Sequence, residues 1–384
     1  MRIVRRDDGH EEGMTGSRIP GPYPYHGAKD GDASAIIWDA LGDCPNVVDA
    51  FFGGGRVLLN RPADHERKIE TANDACGFIP NAWRAIQKDP EAVAEHCAWP
   101  VSELDLHARH VWLVEQMGEA FVERLRSDPD FFDARIAGWW IWGICIWIGG
   151  GWCDSGAAGR KKKPALAGHG SPSEKGRPMA GRGVMSAQLP QLSGSDGTGV
   201  GYGCGINRGR LPHLAGPANP GGKGVGHGRG IFSSRVEELS GYFRLLQKRF
   251  IRTRFTCGDF RRVLTPTVTT SHGRVGIVLD PPYGAAANRC KRLYAVDDLD
   301  IAVAARDWAI EHGEDERYRI VLCGYEGEHE GKMPESWRCA AWKSHSGYAS
   351  AGKERIWLSP HCSRDVGHRS AGWWRAQQTG LPGI

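Results

Sequence analysis

An apolar run, Val275-Gly276-Ile277-Val278-Leu279, stops at Asp280-Pro281-Pro282-Tyr283. No other junction in the chain constrains its fold as much. Consecutive apolar residues with no charge among them read as a buried strand. The two prolines fix the backbone and remove two N–H donors. The carbonyls of Asp280 and Pro281 are left facing outward, beside a carboxylate and the Tyr283 ring. An acid at the carboxyl end of such a strand faces the crevice where open α/β sheets bind ligands. The set suits a flat heterocycle bearing an amine: the ring stacks on Tyr283, and the –NH2 donates to a carboxylate and a carbonyl.

The rest of the chain supplies the sheet that this strand needs. Helical spacing runs from Ala33 to Leu41. Asn46 to Phe52 reads as a strand broken by Gly53-Gly54-Gly55, and a helix begins at Val57. Lys68 to Ala72 is a short strand ending in Asn73-Asp74. Helices are expected over Phe78–Gln87, Pro90–Cys97, Asp105–Gln116 and Glu119–Arg126, with another after the capping sequence Ser127-Asp128-Pro129. A basic helix spans Ser234 to Phe250. Strands follow at Arg254–Cys257, Arg319–Cys323 and Glu354–Leu358, with a helix over Leu299–His312. Strands alternating with helices predict an α/β fold, a mainly parallel sheet covered on both faces.

Charge is unevenly spread. The net charge is +4, yet eleven Lys/Arg against three Asp/Glu between Asp154 and Ser234 put +8 on that stretch and −4 on the remainder. Residues 149–230 also hold twenty-four of the fifty-three glycines. Such a segment buries too little apolar surface to offset its chain entropy, and reads as a flexible basic insert. A basic module on a mildly acidic body points to a polyanionic partner. The expected organisation is a polar tail (1–19), a catalytic domain from 20–99 and 231–362, a recognition domain over 100–230 that contains the insert, and a C-terminal tail (363–384).

The eleven cysteines form no C-x-x-C pair and no metal-ligand spacing with histidine. Cys44, Cys145, Cys257 and Cys323 read as small core residues. This usage fits a reducing cytoplasm. The N-terminus has no apolar stretch of signal-peptide type. Ile136 to Cys153 is uncharged for eighteen residues but ends in Gly149-Gly150-Gly151. Its helical part, roughly 20 Å long at 1.5 Å per residue, is too short for a bilayer and is expected to be a buried Trp-rich helix, with no membrane association.

Three further motifs carry chemistry. Asp49-Ala50-Phe51-Phe52-Gly53-Gly54-Gly55 is a strand, a glycine loop and a helix start. Its glycines permit close backbone approach to a ligand, and no Lys follows as it would in a phosphate-binding loop. Asp74 stands where a carboxylate binds ribose hydroxyls in Rossmann-like sheets, or where a helix is capped. Tyr25 and Lys29 bracket a glycine turn before the first helix.

In this order, Tyr25-x-x-x-Lys29, Phe51-x-Gly53-x-Gly55, a helical basic insert and Asp280-Pro281-Pro282-Tyr283 resemble the alpha-ordered, Dam-like DNA adenine-N6 methyltransferases. Residues 20 to 362 are covered. The segments Thr71–Asp74, Gly138–Gly143 and Gly324–His329 also resemble phage and bacterial members. The resemblance implies a Rossmann-like, S-adenosylmethionine-dependent sheet with an inserted recognition domain. It implies cofactor contacts from Tyr25, Lys29, Phe51, Gly53, Gly55, Asp74, Asp259 and Phe260. It assigns catalysis to Asp280, Pro281, Pro282 and Tyr283, with no metal. Ala50 stands where the family usually has Pro, and Gly54 where Ser is common.

The implied reaction takes place on a flipped-out adenine in double-stranded DNA. Arg160, Lys161, Lys162, Lys163, Arg208, Arg210, Arg244, Lys248 and Arg249 are the expected phosphate contacts, giving salt-sensitive binding. The Trp139/Trp140/Trp142/Trp147 group is expected to pack rather than to touch DNA. Three alternatives stay open: cytosine-N4 methylation, a DNA-binding relative without activity, and a nicotinamide-dependent dehydrogenase, against which the missing G-x-G-x-x-G counts. Lys29 either holds Asp280 ionised or touches the cofactor. Oligomeric state is not read from the sequence.

Overall fold

The computed structural model describes residues 19–25, 27–29, 31–62, 68–147, 152–153, 232–282, 300–341 and 354–364, the side chains of 232–235 excepted. The chain order is α1 (Asp32–Leu41), β1 (Asn46–Asp49), α2 (Arg56–Leu59), β2 (Ile69–Asp74), α3 (Phe78–Lys88), α4 (Pro90–Cys97), α5 (Glu103–Gln116), α6 (Glu119–Ser127), α7 (Ala134–Ile146), α8 (Phe232–Phe250), β3 (Arg254–Cys257), β4 (Val275–Leu279), α9 (Ile301–His312), β5 (Tyr318–Tyr325), β6 (Arg338–Ala341) and β7 (Glu354–Leu358).

The seven strands form one sheet in the order β3-β2-β1-β4-β5-β7-β6. The first five are parallel, and β7 runs antiparallel between β5 and β6. This is a mixed α/β architecture compatible with a Rossmann-like fold. The chain leaves β1 toward β2 on one side and returns to β4 on the other. The carboxyl ends of β1 and β4 therefore flank the topological switch point, where open sheets bind ligands.

Strand alternation explains the two cores. Val47, Val278, Val321, Cys323 and Ile356 point to the face covered by α1, α3, α4, α7 and α8. Val48, Ile277, Leu279, Ile320, Leu322 and Trp357 point to the other face, under α9. All five residues of β4 are buried, as a strand covered on both faces requires.

One expectation is corrected here. Ser127-Asp128-Pro129 does not start the next helix; Asp133 does, its carboxylate accepting from Ile136 N at 2.8 Å. The described helices of 100–153 pack on the helices of the sheet's first face. Ile136, Ala137, Trp140, Ile141 and Trp142 of α7 join the same apolar cluster as Trp38, Leu58 and Trp83. The reason is that α7 is apolar nearly all round and needs cover on several sides. Arg109 lies over the Trp99, Trp139 and Trp142 rings at 5.0, 4.8 and 4.4 Å. This tryptophan group packs the interior, and no helix among the described residues is long and apolar enough to cross a membrane.

Candidate functional site

The glycine loop after β1 is anchored on both sides. Ala50 N donates to Val278 O at 3.1 Å, and Phe52 N donates to Asn73 O at 2.8 Å, so the turn starts from a fixed height above β4 and β2. The loop then reverses at Gly53, whose φ of 49° is in the left-handed region. A Cβ there would lie 2.6 Å from the Tyr25 ring. Glycine at 53 is thus required twice, by backbone conformation and by the aromatic ring on top of it.

Asp74, at the end of β2, holds this turn. Its Oδ2 accepts from Gly53 N and its Oδ1 from Cys76 N, each at 2.9 Å. It does not cap α3, whose N-cap is Gly77. Burial pushes its carboxyl up to about 6, against the two backbone N–H bonds that favour the charged form. From below, the Tyr23 hydroxyl donates to Gly53 O at 2.9 Å and accepts from Trp83 Nε1 at 3.0 Å.

Across the switch point, β4 delivers Asp280. The Lys29 ammonium lies 2.8 Å from its Oδ1 and 3.0 Å from its Oδ2, and also donates to Gly27 O at 2.7 Å. Glu354 of β7 stands 3.6 Å from the same ammonium. Lys29 is buried, while the Asp280 side chain keeps 18 % exposure and so still opens outward. Burial raises the Asp280 carboxyl to about 6; Lys29 opposes the rise, and Glu354 and Glu328 add to it.

One cavity of about 280 Å³ joins these pieces. Tyr25, Lys29, Phe51, Gly53, Asp74, Asp259, Phe260, Asp280 and Pro282 all line it. Gly55 does not; with φ 70° it precedes α2 and shapes the turn from behind. Pro281 is buried beside the lining, and Tyr283 lies outside the described residues. Phe260 and Phe51 pack against each other with ring centroids 5.2 Å apart and give the cavity an apolar wall. Asp259 is turned toward Arg261, at 2.9 Å, and caps the 3-10 turn that begins at Phe260.

The expected phosphate contacts divide. Arg160, Lys161, Lys162, Lys163, Arg208 and Arg210 lie outside the described residues. Lys248 is exposed on α8, and Arg244 is exposed but paired with Glu91. Arg249 is a correction. It is buried, with its guanidinium bidentate to Glu70 at 2.8 and 2.9 Å. Thr253 and Arg61 complete the set on the same carboxylate at 2.8 and 2.9 Å. Burial pushes the Glu70 carboxyl up, but Arg249 and Arg61 together bring it below its usual range. Helical spacing puts Arg249 on the face that carries Leu246 and Phe250 into the core, and a charge there survives only when paired.

Sequence reasoning missed Asp49 as a site residue, although it ends a buried strand just as Asp280 does. It is 2 % exposed and lines the cavity. It also missed Tyr23 and Trp83, for which no local signal exists. Compared with known proteins, the chain matches no protein-family model and no curated protein sequence.

Proposed function

We propose that this chain is a site-specific DNA methyltransferase that moves a methyl group from S-adenosylmethionine to the N6 amine of adenine. The observation that carries the reading is the joining of two distant motifs in one cavity. Asp280, held by Lys29, lines the same space as the glycine turn and Asp74, at the switch point of the sheet. Residues quoted for the resemblance to Dam-like enzymes thus converge, although they are scattered over about 260 positions.

The donor set suits an elongated, cationic nucleoside. The Phe51/Phe260 wall offers a flat ring an apolar surface, the glycine turn admits close backbone approach, and four aspartates (49, 74, 259 and 280) line the space. No lysine follows the glycines to meet a pyrophosphate. When bound, S-adenosylmethionine supplies an electrophilic methyl on a sulfonium.

The chain's own residues then act on the acceptor. The adenine amine is a poor nucleophile because its lone pair is delocalised into the ring. Asp280 and the Pro281 carbonyl accept its two N–H bonds, which favours a more tetrahedral nitrogen with its lone pair free for the methyl. Acceptors fixed before the reaction stabilise the positive charge that develops on this nitrogen, and alignment supplies further rate. Lys29 keeps the acceptor ionised from behind, on the side away from the target. Tyr283 is assigned to stacking on the extruded base. DNA is the proposed partner, with exposed Lys248 as one phosphate contact.

Incubation with S-adenosylmethionine and unmethylated DNA, followed by base-resolved mapping, tests this. N6-methyladenine at one short motif, lost in Asp280→Ala, is the expected result. N4-methylcytosine would overturn the assigned base. Bound DNA with no mark and no cofactor binding would favour the inactive DNA-binding reading.

A further inference from the structure

Glu354 is an acid at a position that its own strand marks as apolar. It opens β7, whose alternate residues Ile356 and Leu358 enter the core beside Cys323 and Val321. Glu354 continues the same face, opposite Tyr325, and is 6 % exposed. An aliphatic side chain would bury there without desolvating a charge. The Glu354 Oε2 accepts no hydrogen bond among the described residues. It meets the Lys29 ammonium instead, 3.6 Å away. That separation is long for a hydrogen bond and within reach of an ion pair.

Lys29 thus stands between two acids that arrive from different strands. Asp280, at the end of β4, takes the short contacts at 2.8 and 3.0 Å, and Glu354 takes the long one. β5 lies between β4 and β7 in the sheet, and its Cys323 is a buried thiol in the field of Asp280, Glu354, Lys29 and Asp49. Two further acids face Asp280. Glu328, in the turn after β5, accepts from Tyr325 N at 3.0 Å, and Asp49 ends β1. Burial first, then Glu354 and Glu328, push the Asp280 carboxyl up to about 6 against Lys29.

We propose that Glu354 is a positioning residue for the reaction: it takes a share of the Lys29 charge, so that Lys29 fixes Asp280 in place without neutralising it as an acceptor for the target amine. The inference rests on the methyltransferase reading and gives a part in it to a residue that is not on the cavity wall. A carboxylate whose charge is fully met by one ammonium is a weaker acceptor toward a third group. Dividing that ammonium between two acids leaves net negative charge facing the amine, on which positive charge develops.

Carbon-13 NMR titration of the aspartate carboxyls in the full chain, without ligand, reads the Asp280 midpoint directly, and Asp280→Asn identifies its signal. Glu354→Gln keeps the shape of the side chain and removes its charge. Its Asp280 midpoint is expected to lie about half a pH unit or more below that of the wild type. The acid limb of kcat/KM for DNA methylation should move down with it. On the plateau, kcat should fall about twofold or more while KM for S-adenosylmethionine stays unchanged. A residue that only supports the fold would lower Tm and leave midpoint and limb in place. Glu354→Asp keeps the charge and withdraws it by one methylene. It should shift the midpoint the same way by less, and it carries the test should Glu354→Gln fail to fold. A wild-type midpoint in the folded variants, or an unmoved acid limb, overturns the inference and leaves the proposed function intact. A shifted midpoint in a chain that binds no S-adenosylmethionine and marks no DNA overturns the proposed function, and with it the part given to Glu354.

Discussion

Lys29 and Asp280 are 251 residues apart in the chain and 2.8 Å apart in the fold. The lysine comes from the segment before α1, and the aspartate from the end of β4. Each is buried at a place where it would be costly without the other. Without Asp280, the buried Lys29 ammonium would lose the nearer of its two carboxylates and keep Glu354 at 3.6 Å and the Gly27 carbonyl. Asp280 would climb further from its ordinary value than the 6 or so at which burial and Lys29 together leave it. Their pairing leaves Asp280 on the cavity wall with 18 % of its side chain exposed, where the proposed reaction calls for an acceptor.

The acid side of the rate profile should report this pair. In the proposed reaction Asp280 stabilises the charge developing on the amine as a carboxylate, and protonation removes that charge, so kcat/KM is expected to fall below about pH 6. Lys29→Gln removes the group that lowers the Asp280 pKa, so the acid limb should move to higher pH. The neutral-pH rate should drop by one to two orders of magnitude, on the order of a lost charge-assisted bond. An unmoved limb would separate Lys29 from Asp280 ionisation.

Stability should carry the same signature with the opposite slope from ordinary acid denaturation. Asp280 and Asp74 rise from 3.8 to about 6 on folding, so the folded state binds protons more tightly. Their contribution is fully present below pH 3.8 and is lost as pH rises through about 6. In the absence of ligand, Asp280→Asn is expected to flatten the dependence of Tm on pH between 4 and 6, as thermal melts at fixed ionic strength would show.

Arg249 and Lys248 are neighbours with opposite duties. Arg249→Met takes the bidentate partner from buried Glu70, which keeps Arg61 and Thr253, and is expected to cost about 3 kcal/mol of unfolding free energy. Lys248→Ala removes an exposed charge and should change stability by no more than about 0.5 kcal/mol. Urea unfolding of the two variants checks the first contrast. For DNA, only Lys248→Ala is expected to reduce the salt slope, by about one counterion.

Gly53→Ala tests the turn. The added methyl meets the Tyr25 ring at 2.6 Å, on a backbone that side chains rarely adopt. A loss of about 1–3 kcal/mol is expected, together with weaker S-adenosylmethionine binding in a titration. Trp83→Phe withdraws the N–H that the Tyr23 hydroxyl accepts. It should cost about 1 kcal/mol and loosen the same turn more mildly.

Local sequence carried the strand and helix pattern well. The strand at Arg254–Cys257, the strand at Glu354–Leu358 and the helix at Pro90–Cys97 coincide with their expected bounds. Periodicity and capping act within a few residues, so they are readable there. β6 escaped because Arg338-Cys339-Ala340-Ala341 is a half-exposed edge with little β-branched character. The helix at Ala134 was placed early because Asp128 and Asp133 both qualify as caps, and packing of α7 on α3 and α4 selected the second.

The residues that meet at the cavity were legible one motif at a time, from the strand ending at Asp280, the glycines after β1 and the acid after β2. Only the tertiary structure decided that they share one cavity, that Lys29 pairs with Asp280, that Arg249 points inward to Glu70, and that Asp49 Oδ1 has no hydrogen-bond partner among the described residues. Strands and turns follow from the chemistry of adjacent residues. Pairing and burial follow from which distant residues the sheet order brings together, and no local pattern records that order.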